Sequence, residues 1–287
     1  MTDVVVVGGV YREIFAGSSK PQMRIGGSGL TASVAAARLG ASVSLAGFAG
    51  IDDQSLVMSI LNSAGVDASH VQFERGVSGT FVFPDRSLDA PLPLFRPPET
   101  SPVQLSAIPD ARVLLLLGMP DFDGADDHEV QRMTSQTSPV VVWDRQGWLS
   151  RARNGDAAAA LAASQRIWLG NKGEALEEHV SLVPPRGFTA AIVKDGPRSV
   201  TLIEPAGSAA VPTYPVESIN PVGTGDAFAG ALAAGLATGS SLIEAATQAS
   251  AVASIVAARG ENLVPSDVSA QIASILARSA EPEPRGG

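Results

Sequence analysis

Short apolar runs alternate with helical patterns along this chain, and this alternation limits the possible folds more than any other feature. The apolar runs have the length of buried strands and lie at residues 4–7, 43–46, 113–117, 140–143, 167–169 and 190–193. The helical patterns lie at residues 29–39, 53–64, 127–136, 157–163, 174–179, 226–237 and 242–258. Because strands joined through helices pair in parallel, with helices on both faces of the sheet, the pattern predicts an α/β fold.

Two polar segments, residues 10–25 and 72–98, do not fit the alternation. Each follows an early strand, and the second contains a short apolar run at residues 80–83 among many prolines. Short strands in these segments can pair into a small β flap over one edge of the main sheet, although proline limits the regularity of that pairing. We therefore predict one domain over residues 1–280 that includes the flap, followed by a flexible tail at residues 281–287.

Composition excludes several classes of partner and site. The 287-residue chain carries 29 acidic and 20 basic residues, a net charge of −9, which argues against nucleic acid as a partner. It has no cysteine, so disulfides, thiolate metal sites and cysteine nucleophiles are excluded, and its three histidines have no metal-ligand spacing. No apolar run is long enough to span a bilayer, and the N-terminal residues do not resemble a signal peptide. We expect a cytoplasmic protein without a membrane partner.

Residues 219–230 read as an extended run, a glycine-spaced turn and an Ala-rich helix whose first turn holds Asp226. Gly223 and Gly225 allow backbone N–H groups to converge, and a helix N-terminus adds donors and partial positive charge, so the turn is a candidate phosphate site. A carboxylate beside an anion is unfavourable unless it takes a proton from, or orients, a hydroxyl that attacks the phosphate. The alternative is a helix start with an acidic residue placed favourably on the helix dipole.

This turn resembles the C-terminal signature of the ribokinase-like (PfkB-type) carbohydrate kinases, in which a D/N-x-x-G-A/T/S-G-D run opens a helix rich in small residues. The resemblance implies a ribokinase-like three-layer sandwich, with a mostly parallel central sheet and a small β lid formed by residues 10–25 and 72–98. The lid often forms a dimer contact in that family, so the resemblance also allows a homodimer that forms through the lid. The implied reaction is the ATP- and Mg²⁺-dependent transfer of the γ-phosphoryl group to a hydroxymethyl group of a sugar, sugar phosphate or nucleoside.

The same resemblance implies roles at the turn. Asp226 is the base, and the N–H groups of Gly223, Thr224 and Gly225 stabilise charge on the transferring group. Because the dipole at a helix N-terminus favours the ionised form of a carboxylate, we expect a low pKa for Asp226 and therefore a weak base. A loose phosphoryl-transfer transition state tolerates a weak base, since alignment and charge neutralisation matter more than early proton removal.

The nucleotide and metal positions implied by the family lie mainly in the second half of the chain. Asn171 and Glu174 match its N-x-x-E motif, whose amide and carboxylate hold hydrated Mg²⁺ and the phosphates, and Mg²⁺ needs few carboxylates. From the sequence alone, Asn171 is equally a helix cap. The resemblance further implies nucleotide contacts at Lys194, Gly196 and Asn262. The alternatives there are an exposed lysine without a role and a turn glycine.

The N-terminal glycine-rich loop resembles the family's sugar-binding pattern but departs from it. The resemblance assigns sugar hydroxyls to Gly26 and Gly27, for which an ordinary loop is the alternative. Thr31 stands where an asparagine is usual, and Glu13 substitutes for the usual aspartate. These departures leave the acceptor open. A sugar phosphate needs positive charge near the loop, and the nearest candidates are Arg12, Arg24 and Arg96.

Three further positions are open between a functional and a structural role. Asp144 follows a buried strand, where it either contacts substrate or phosphate-bound water or forms a turn. Asp52, in the family's G-x-x-G-x-D turn, is expected to cap a helix. Asn220 replaces an aspartate near the family's monovalent-cation site, so K⁺ activation is open.

Two other functions are also open. One is a nucleotide or sugar sensor of the same fold without turnover, which the altered N-terminal loop favours and the intact Gly-Thr-Gly-Asp turn opposes. The other is a vitamin-type alcohol kinase. The lid-like residues 72–98 oppose it, because a lid is expected in the sugar and nucleoside branch and not in the vitamin kinases.

Overall fold

The alternation of strands and helices is present in the computed structural model, which describes residues 2–16, 21–83, 92–95, 109–117, 140–146, 163–261 and 263–280. The strands, in chain order, are β1 (Thr2–Val7), β2 (Tyr11–Phe15), β3 (Gln22–Gly26), β4 (Val43–Gly50), β5 (Val66–Glu74), β6 (Thr80–Phe83), β7 (Leu92–Phe95), β8 (Ala111–Leu117), β9 (Val140–Asp144), β10 (Gln165–Asn171), β11 (Ala190–Lys194), β12 (Val200–Glu204) and β13 (Gly207–Val211). The α-helices are α1 (Ser28–Arg38), α2 (Gln54–Ala64), α3 (Lys172–Glu177), α4 (Thr224–Ala237), α5 (Leu242–Arg259) and α6 (Val268–Ala280).

The apolar run at the start of the chain forms a strand that is buried on both faces. Val4 and Val6 of β1 belong to one hydrophobic core, whereas Val5 and Val7 belong to a second core. Successive side chains of a strand point to opposite faces, so a sheet that is covered on both sides needs continuous apolar runs. The four valines therefore place β1 in the interior of the sheet.

The main sheet contains nine strands within the described residues, in the order β13-β12-β11-β10-β9-β8-β1-β4-β5. Neighbours from β11 to β5 pair in parallel, whereas β12 pairs antiparallel with both β11 and β13. All the predicted strands lie in this sheet, and the prediction of a mostly parallel sheet is confirmed. β5, β12, β13 and α6 are additions to the predicted elements. β13 is largely exposed, so it lacks the apolar run that marks the other strands.

Helices α1 and α4 pack closely because both are rich in small residues. Gly230 in the middle of α4 faces the backbone of α1, and a Cβ at this position would lie only 2.1 Å from the carbonyl oxygen of Ala32. Glycine permits this approach because it has no Cβ. α1 begins after Gly27 and α4 begins after Gly223, so the contact joins two helices that each start at a glycine-rich loop.

The predicted helix at residues 127–136 and most of the one at residues 157–163 lie outside the described residues, and so does the predicted tail at residues 281–287. Within the described part of the chain, no helix has the length and hydropathy needed to cross a bilayer. The extent of the domain, residues 1–280, remains a prediction.

The two polar segments contribute strands to a separate small sheet whose described strands have the order β3-β2-β6-β7, although residues 72–74 of the second segment belong to β5 of the main sheet. We call it the lid sheet; the small second sheet is confirmed, and its role as a lid remains a prediction. Pro93 lies in β7, and the register of β6 with β7 shifts between Thr80 and Phe81, as expected for a proline-rich strand. Tyr11 of the lid sheet packs in the same core as Trp143 of the main sheet.

An ion pair joins the lid sheet to the body of the protein. Arg12 on β2 donates from Nε to both carboxylate oxygens of Asp53 at 3.0 Å, and from Nη2 to Oδ1 at 2.6 Å. Asp53 also accepts from the backbone N–H of Ser78 at 2.9 Å. Burial favours a higher pKa for Asp53, but these hydrogen bonds outweigh burial and hold the pKa below its usual value. Asp52, which was expected to cap a helix, is exposed and caps neither the 3₁₀ turn nor α2; its neighbour Asp53 has the structural role.

Candidate active site

Three polar side chains lie at the carboxyl ends of neighbouring parallel strands. Asp144 ends β9, Asn171 ends β10 and Lys194 ends β11, and Asn171 is in register with Lys194. Open parallel sheets bind their ligands just beyond this edge. The N-terminus of α4 reaches the same place, because a Cβ at Gly225 would lie 3.6 Å from Nζ of Lys194. The fold therefore brings the sheet edge and the glycine-spaced turn together.

The glycine-spaced turn forms the N-terminus of α4, as predicted. Gly223 is the N-cap residue and has a left-handed φ of 88°, which glycine adopts without steric cost. The first i→i−4 hydrogen bond of the helix runs from the N–H of Ala227 to the carbonyl of Gly223, at 2.9 Å. The N–H groups of Gly225 and Asp226 therefore precede the helical hydrogen bonds and are available at the helix end.

Two side chains fix the shape of the turn before the helix. Thr224 donates to the carbonyl of Pro221 from its N–H at 3.2 Å and from Oγ1 at 2.8 Å. The buried Asn220 accepts at Oδ1 from the N–H of Val222 at 3.0 Å. The N–H of Thr224, expected to stabilise the transferring group, is thus engaged within the protein, as is the side-chain oxygen of Asn220.

Asp226 has a raised pKa, contrary to the low value that the helix dipole alone would give. The side-chain amide of Gln146 donates to Oδ1 of Asp226 at 2.5 Å. Burial and, to a lesser degree, the carboxylates of Asp144 and Glu13 raise the pKa of Asp226 to about 7. Gln146 and Lys194 act in the opposite direction. The expectation was wrong because removal from water and neighbouring negative charge outweigh the dipole here. A carboxylate with this pKa can take a proton at neutral pH.

Lys194 brings positive charge to the turn. Its Nζ lies 3.4 Å from Oδ2 of Asp144 and 5.8 Å from the ring centroid of Phe228 on α4. Its side chain is only 16% exposed, which distinguishes it from the alternative of an exposed lysine without a role. Burial raises the pKa of Asp144, and Lys194 opposes that rise. A negatively charged group at the turn would therefore meet the ammonium of Lys194.

Asn171 and Glu174 form a capping box at the start of α3. Oδ1 of Asn171 accepts from the N–H of Glu174 at 3.0 Å, and Oε2 of Glu174 accepts from the N–H of Asn171 at 2.6 Å. Glu174 is buried, and burial followed by the carboxylate of Asp144 raises its pKa. The motif thus has the structural role that the sequence left open, and any metal-binding role has to use the same side chains.

The charges at this edge suit a hydrated Mg²⁺ ion. Within the described residues, no group of three or more His, Asp or Glu side chains is placed to hold a metal directly. The buried carboxylates of Asp144 and Glu174 repel each other, and this repulsion contributes to the raised pKa of Glu174. A divalent cation nearby would relieve the repulsion, and Mg²⁺ commonly binds through its own waters with few protein carboxylates.

Glu13 organises the loop that was predicted to bind the acceptor. Its Oε1 accepts from the N–H of Gly27 at 3.0 Å, and its Oε2 accepts from Nε of Arg24 at 2.8 Å. Arg24 also donates from Nη1 to the carbonyl of Gly260 at 3.2 Å, which ties the lid sheet to the end of α5. Thr31 is fully buried, and within the described residues its Oγ1 has no hydrogen-bond partner. The hydroxyls of Ser28 and Ser33 likewise have no partner among the described residues, so the loop is preformed above three unsatisfied hydroxyls at the start of α1.

The remaining predicted positions are less informative. Gly26 ends β3 and adjoins the loop. Gly196 has a φ of 56° in an exposed turn between β11 and β12, so its turn role is evident and its nucleotide contact stays a prediction. Asn262 and Arg96 lie outside the described residues.

Gln146 and Arg145 belong to the site although the sequence pattern assigns them no role. Both lie in the polar run after β9 that drew attention to Asp144, and this run is the only signal for them. The contact of Gln146 with Asp226 spans 80 residues and depends on a left-handed φ of 47° at Gln146. Neither the long-range contact nor the left-handed conformation can be predicted from the neighbouring residues in the sequence.

Comparisons with known proteins agree with this fold. The family model described as pfkB family carbohydrate kinase matches residues 1–82 and 152–266. A comparison with curated proteins gives no match. Among solved structures, the fold is similar to that of a nucleoside kinase from Burkholderia thailandensis in complex with inosine, with 18% identity and a TM-score of 0.73, over 96% of this chain and 99% of that chain.

Two further structures share the fold. Aminoimidazole riboside kinase from Salmonella enterica, complexed with aminoimidazole riboside and an ATP analogue, is 18% identical with a TM-score of 0.76, over 94% of this chain and 99% of that chain. Ribokinase from Cryptococcus neoformans var. grubii serotype A in complex with ADP is 20% identical with a TM-score of 0.71, over 97% of this chain and 100% of that chain. They confirm the ribokinase-like α/β fold. Because the family model covers well over half of the sequence, the chain belongs to the PfkB family of carbohydrate kinases.

Proposed function

We propose that this kinase transfers the γ-phosphoryl group of ATP to a hydroxymethyl group of an uncharged sugar or nucleoside, with Asp226 as the base. The observation that carries the proposal is the position of Asp226. Its carboxyl group, with a pKa raised to about 7, lies at the N-terminus of α4 beside available backbone N–H groups and the ammonium of Lys194. A proton acceptor and an anion site are thus adjacent, as phosphoryl transfer to a hydroxyl requires.

The residues at the turn have separate roles in the reaction. The acceptor oxygen attacks the γ-phosphorus, the bond to the β,γ-bridging oxygen breaks, and ADP leaves with that electron pair. Asp226 takes the proton of the acceptor hydroxyl. The N–H groups at the helix end and the charge of Lys194 stabilise the negative charge on the transferring group, without reorganisation during the step.

Asn171 and Glu174 are the residues that would hold hydrated Mg²⁺ beside the phosphates. When bound, the ion neutralises phosphate charge. Support for this assignment comes from the repulsion between the buried carboxylates of Glu174 and Asp144 at the strand ends, which Lys194 only partly offsets. Lys194 contacts the phosphates in the proposal, and Gly196 and Asn262 remain predicted nucleotide contacts. K⁺ activation, a cytoplasmic location and a homodimer through the lid sheet also remain predictions.

The charges around the proposed acceptor loop favour an uncharged acceptor over a sugar phosphate. In the described part of the chain, the two arginines nearest the loop are each paired with a buried carboxylate. Arg12 pairs with Asp53, and Arg24 pairs with Glu13. A phosphate on the acceptor would have to compete with these pairs. The small second sheet supports the sugar and nucleoside branch over a vitamin-type alcohol kinase.

A coupled ADP-release assay over a panel of acceptors tests the proposal. The panel contains ribose, fructose and inosine, their phosphorylated forms ribose 5-phosphate and fructose 6-phosphate, and pyridoxal as a vitamin alcohol. We expect turnover with at least one uncharged sugar or nucleoside, and a loss of about 10²- to 10⁴-fold in kcat for Asp226→Asn with the fold unchanged. Binding of an ATP analogue without turnover across the panel would instead support the sensor, and preference for a phosphorylated sugar would contradict the uncharged acceptor.

A further inference from the structure

Gln146 adopts a backbone conformation that few residues other than glycine use. It follows β9 by two positions, and its φ of 47° lies in the left-handed region. This region is uncommon for a residue with a Cβ, and such a conformation persists where the surrounding structure holds it in place. The contacts of Arg145 and of the Gln146 side chain show how it is held.

Arg145 anchors the residue before Gln146. Its N–H donates to the carbonyl of Leu169 on β10 at 2.8 Å, and its guanidinium pairs with the carboxylate of Glu178. Glu178 also accepts from the indole N–H of the buried Trp168 at 3.1 Å. With only 11% of its side chain exposed, Arg145 fastens this segment to β10 and to the end of α3.

The side chain of Gln146 bridges two carboxylates. Nε2 donates to Oδ1 of Asp226 at 2.5 Å. Gln146 also forms hydrogen bonds to Asp144 through both its backbone and its side chain. No hydrogen bond from a described residue reaches Oδ2 of Asp226. Among the described residues, a hydrogen bond therefore holds only one of the two carboxylate oxygens of Asp226.

We propose that Gln146 is a positioning residue for phosphoryl transfer: its amide holds Oδ1 of Asp226, so that Oδ2 faces the acceptor hydroxyl and takes its proton. This inference rests on the proposed function, in which Asp226 is the base. The acceptor oxygen forms a bond to the γ-phosphorus while the bond to the bridging oxygen breaks, and ADP leaves with the electron pair. The acceptor proton passes to Oδ2.

The amide also favours the ionised form of Asp226, because its hydrogen bond lowers the pKa of that carboxyl group. The charged groups that face Asp226 come from three strands: Asp144 on β9, Lys194 on β11 and Glu13 on β2. Two of these groups are negative, so the carboxylate depends on Lys194 and Gln146 for stabilisation. Because a donated hydrogen bond favours the charged form of a carboxylate, loss of the amide raises the pKa of Asp226.

Gln146→Gly tests the proposal, since glycine accepts the left-handed backbone and the change removes the amide. The assay uses ATP, Mg²⁺ and whichever of inosine, ribose or fructose gives the highest turnover. The acid limb of the pH profile of kcat/KM should move up by about one pH unit. In addition, kcat should fall while the KM for ATP stays unchanged. A pH profile equal to that of the wild type, or a variant in which only KM rises and kcat is unchanged, overturns the proposal.

Gln271→Ala is the matched control. Gln271 on α6 donates to Oδ1 of Asp267 at 3.0 Å, so this variant also removes an amide from an aspartate, but on a helix that takes no part in the site. Its pH profile should be that of the wild type. A shift equal to that of Gln146→Gly would mean that the effect is unspecific and would overturn the assignment.

Thermal unfolding gives a second readout that does not need turnover. The difference in melting temperature between a protein and its Asp226→Asn variant follows the ionisation of Asp226. In both backgrounds this difference should begin to rise near the unfolded value of 3.8, but in the Gln146→Gly background it should level off about one pH unit higher than in the wild type. Coincident curves overturn the role of Gln146. If the wild type phosphorylates no acceptor, the proposed function fails, and the curves still decide whether Gln146 holds Asp226.

Discussion

The ammonium of Lys194 lies 3.4 Å from Oδ2 of Asp144, across the end of the strand between theirs. The two side chains are 16% and 4% exposed, so each charge depends on the other more than in a surface ion pair. Lys194 also faces the turn at Gly225. Its charge is therefore shared between a buried carboxylate and the place where a phosphate would bind.

Lys194→Met keeps the length of the side chain and removes its charge. We expect kcat/KM for ATP to fall about 10- to 100-fold, because a charge-assisted contact to phosphate is lost. Stability should also fall, since Asp144 is left buried without its partner. The double variant Lys194→Met/Asp144→Asn should regain stability in urea unfolding but not the efficiency for ATP. Normal efficiency in Lys194→Met would show that the lysine does not contact the phosphates.

Asp226 should make the stability of the protein depend on pH. Its pKa is raised from 3.8 to about 7, so the folded state binds the proton more tightly than the unfolded state. Stability therefore falls as the pH rises between these two values, and Asp226→Asn removes that loss. We expect the variant to match the wild type near pH 4 and to be more stable at pH 8. Melting temperatures across this range measure the effect, and a difference independent of pH would contradict the raised pKa.

Glu174→Gln separates the capping role of Glu174 from its charge. The glutamine oxygen can still accept from the N–H of Asn171, so the melting temperature should change little. The Mg²⁺ concentration for half-maximal rate should rise about 10-fold, the lower end of the usual effect of residues around a metal site. Glu244→Gln is the control, because Ser241 and Glu244 form the same capping box on α5. An unchanged Mg²⁺ requirement in Glu174→Gln would remove Glu174 from the metal site.

Arg12→Ala should loosen the lid sheet. Loss of the guanidinium leaves the buried Asp53 with the N–H of Ser78 as its remaining described partner, which should cost about 2 kcal/mol in urea unfolding. The pKa of Asp53 is lowered in the folded state, so the contribution is present above the unfolded value of 3.8 and is lost as the pH falls. Hydrogen exchange in β2 and β6 should become faster.

The control for this pair is Arg112→Ala. Arg112 lies 3.7 Å from Asp3, and the two side chains are 59% and 28% exposed, so its loss should cost less than about 1 kcal/mol. Equal losses for the two arginine variants would show that the contact of Arg12 with Asp53 is no stronger than a surface pair.

Gly230→Ala should separate α1 from α4. Alanine favours a helix over glycine by about 1 kcal/mol, but its Cβ would meet the carbonyl of Ala32 at 2.1 Å. We expect a net loss of stability and a lower kcat, because the two glycine-rich loops start these helices. Gly235→Ala lies on the same helix, where the nearest atom is Cβ of Ala245 on α5 at 2.9 Å. It should alter stability without lowering kcat, and equal kcat values for both variants would contradict the role of the α1–α4 contact.

The features that sequence predicts here are local ones. The valines of β1 and the leucines of β8 form continuous apolar runs, and such runs predict strands covered on both faces. The turn before α4 is also local, since its glycines and Asp226 occupy adjacent positions. The fold class, the small second sheet and the glycine-spaced turn at the start of α4 could therefore be predicted.

The features that sequence does not predict arise between distant segments. The pKa of Asp226 depends on burial and on Asp144, so the local dipole gave the wrong direction. Gln146 reaches Asp226 through a left-handed backbone that no turn residue signals. Asp53, and not Asp52, binds the lid sheet because only the folded chain places Arg12 opposite it. Each of these three features depends on a contact between two distant segments, and neither segment predicts that contact by its own sequence.

The contact of Gly230 with Ala32 determines how far the proposed acceptor loop lies from the phosphate turn. Gly27 of this loop directly precedes α1, so its distance from the turn depends on how α1 packs against α4. An acceptor bound at the loop then reacts only if its hydroxyl reaches the turn, however well the rest of the molecule is bound. Substitutions in the loop or the lid sheet alter which molecule binds. They do not alter the distance over which the phosphoryl group is transferred.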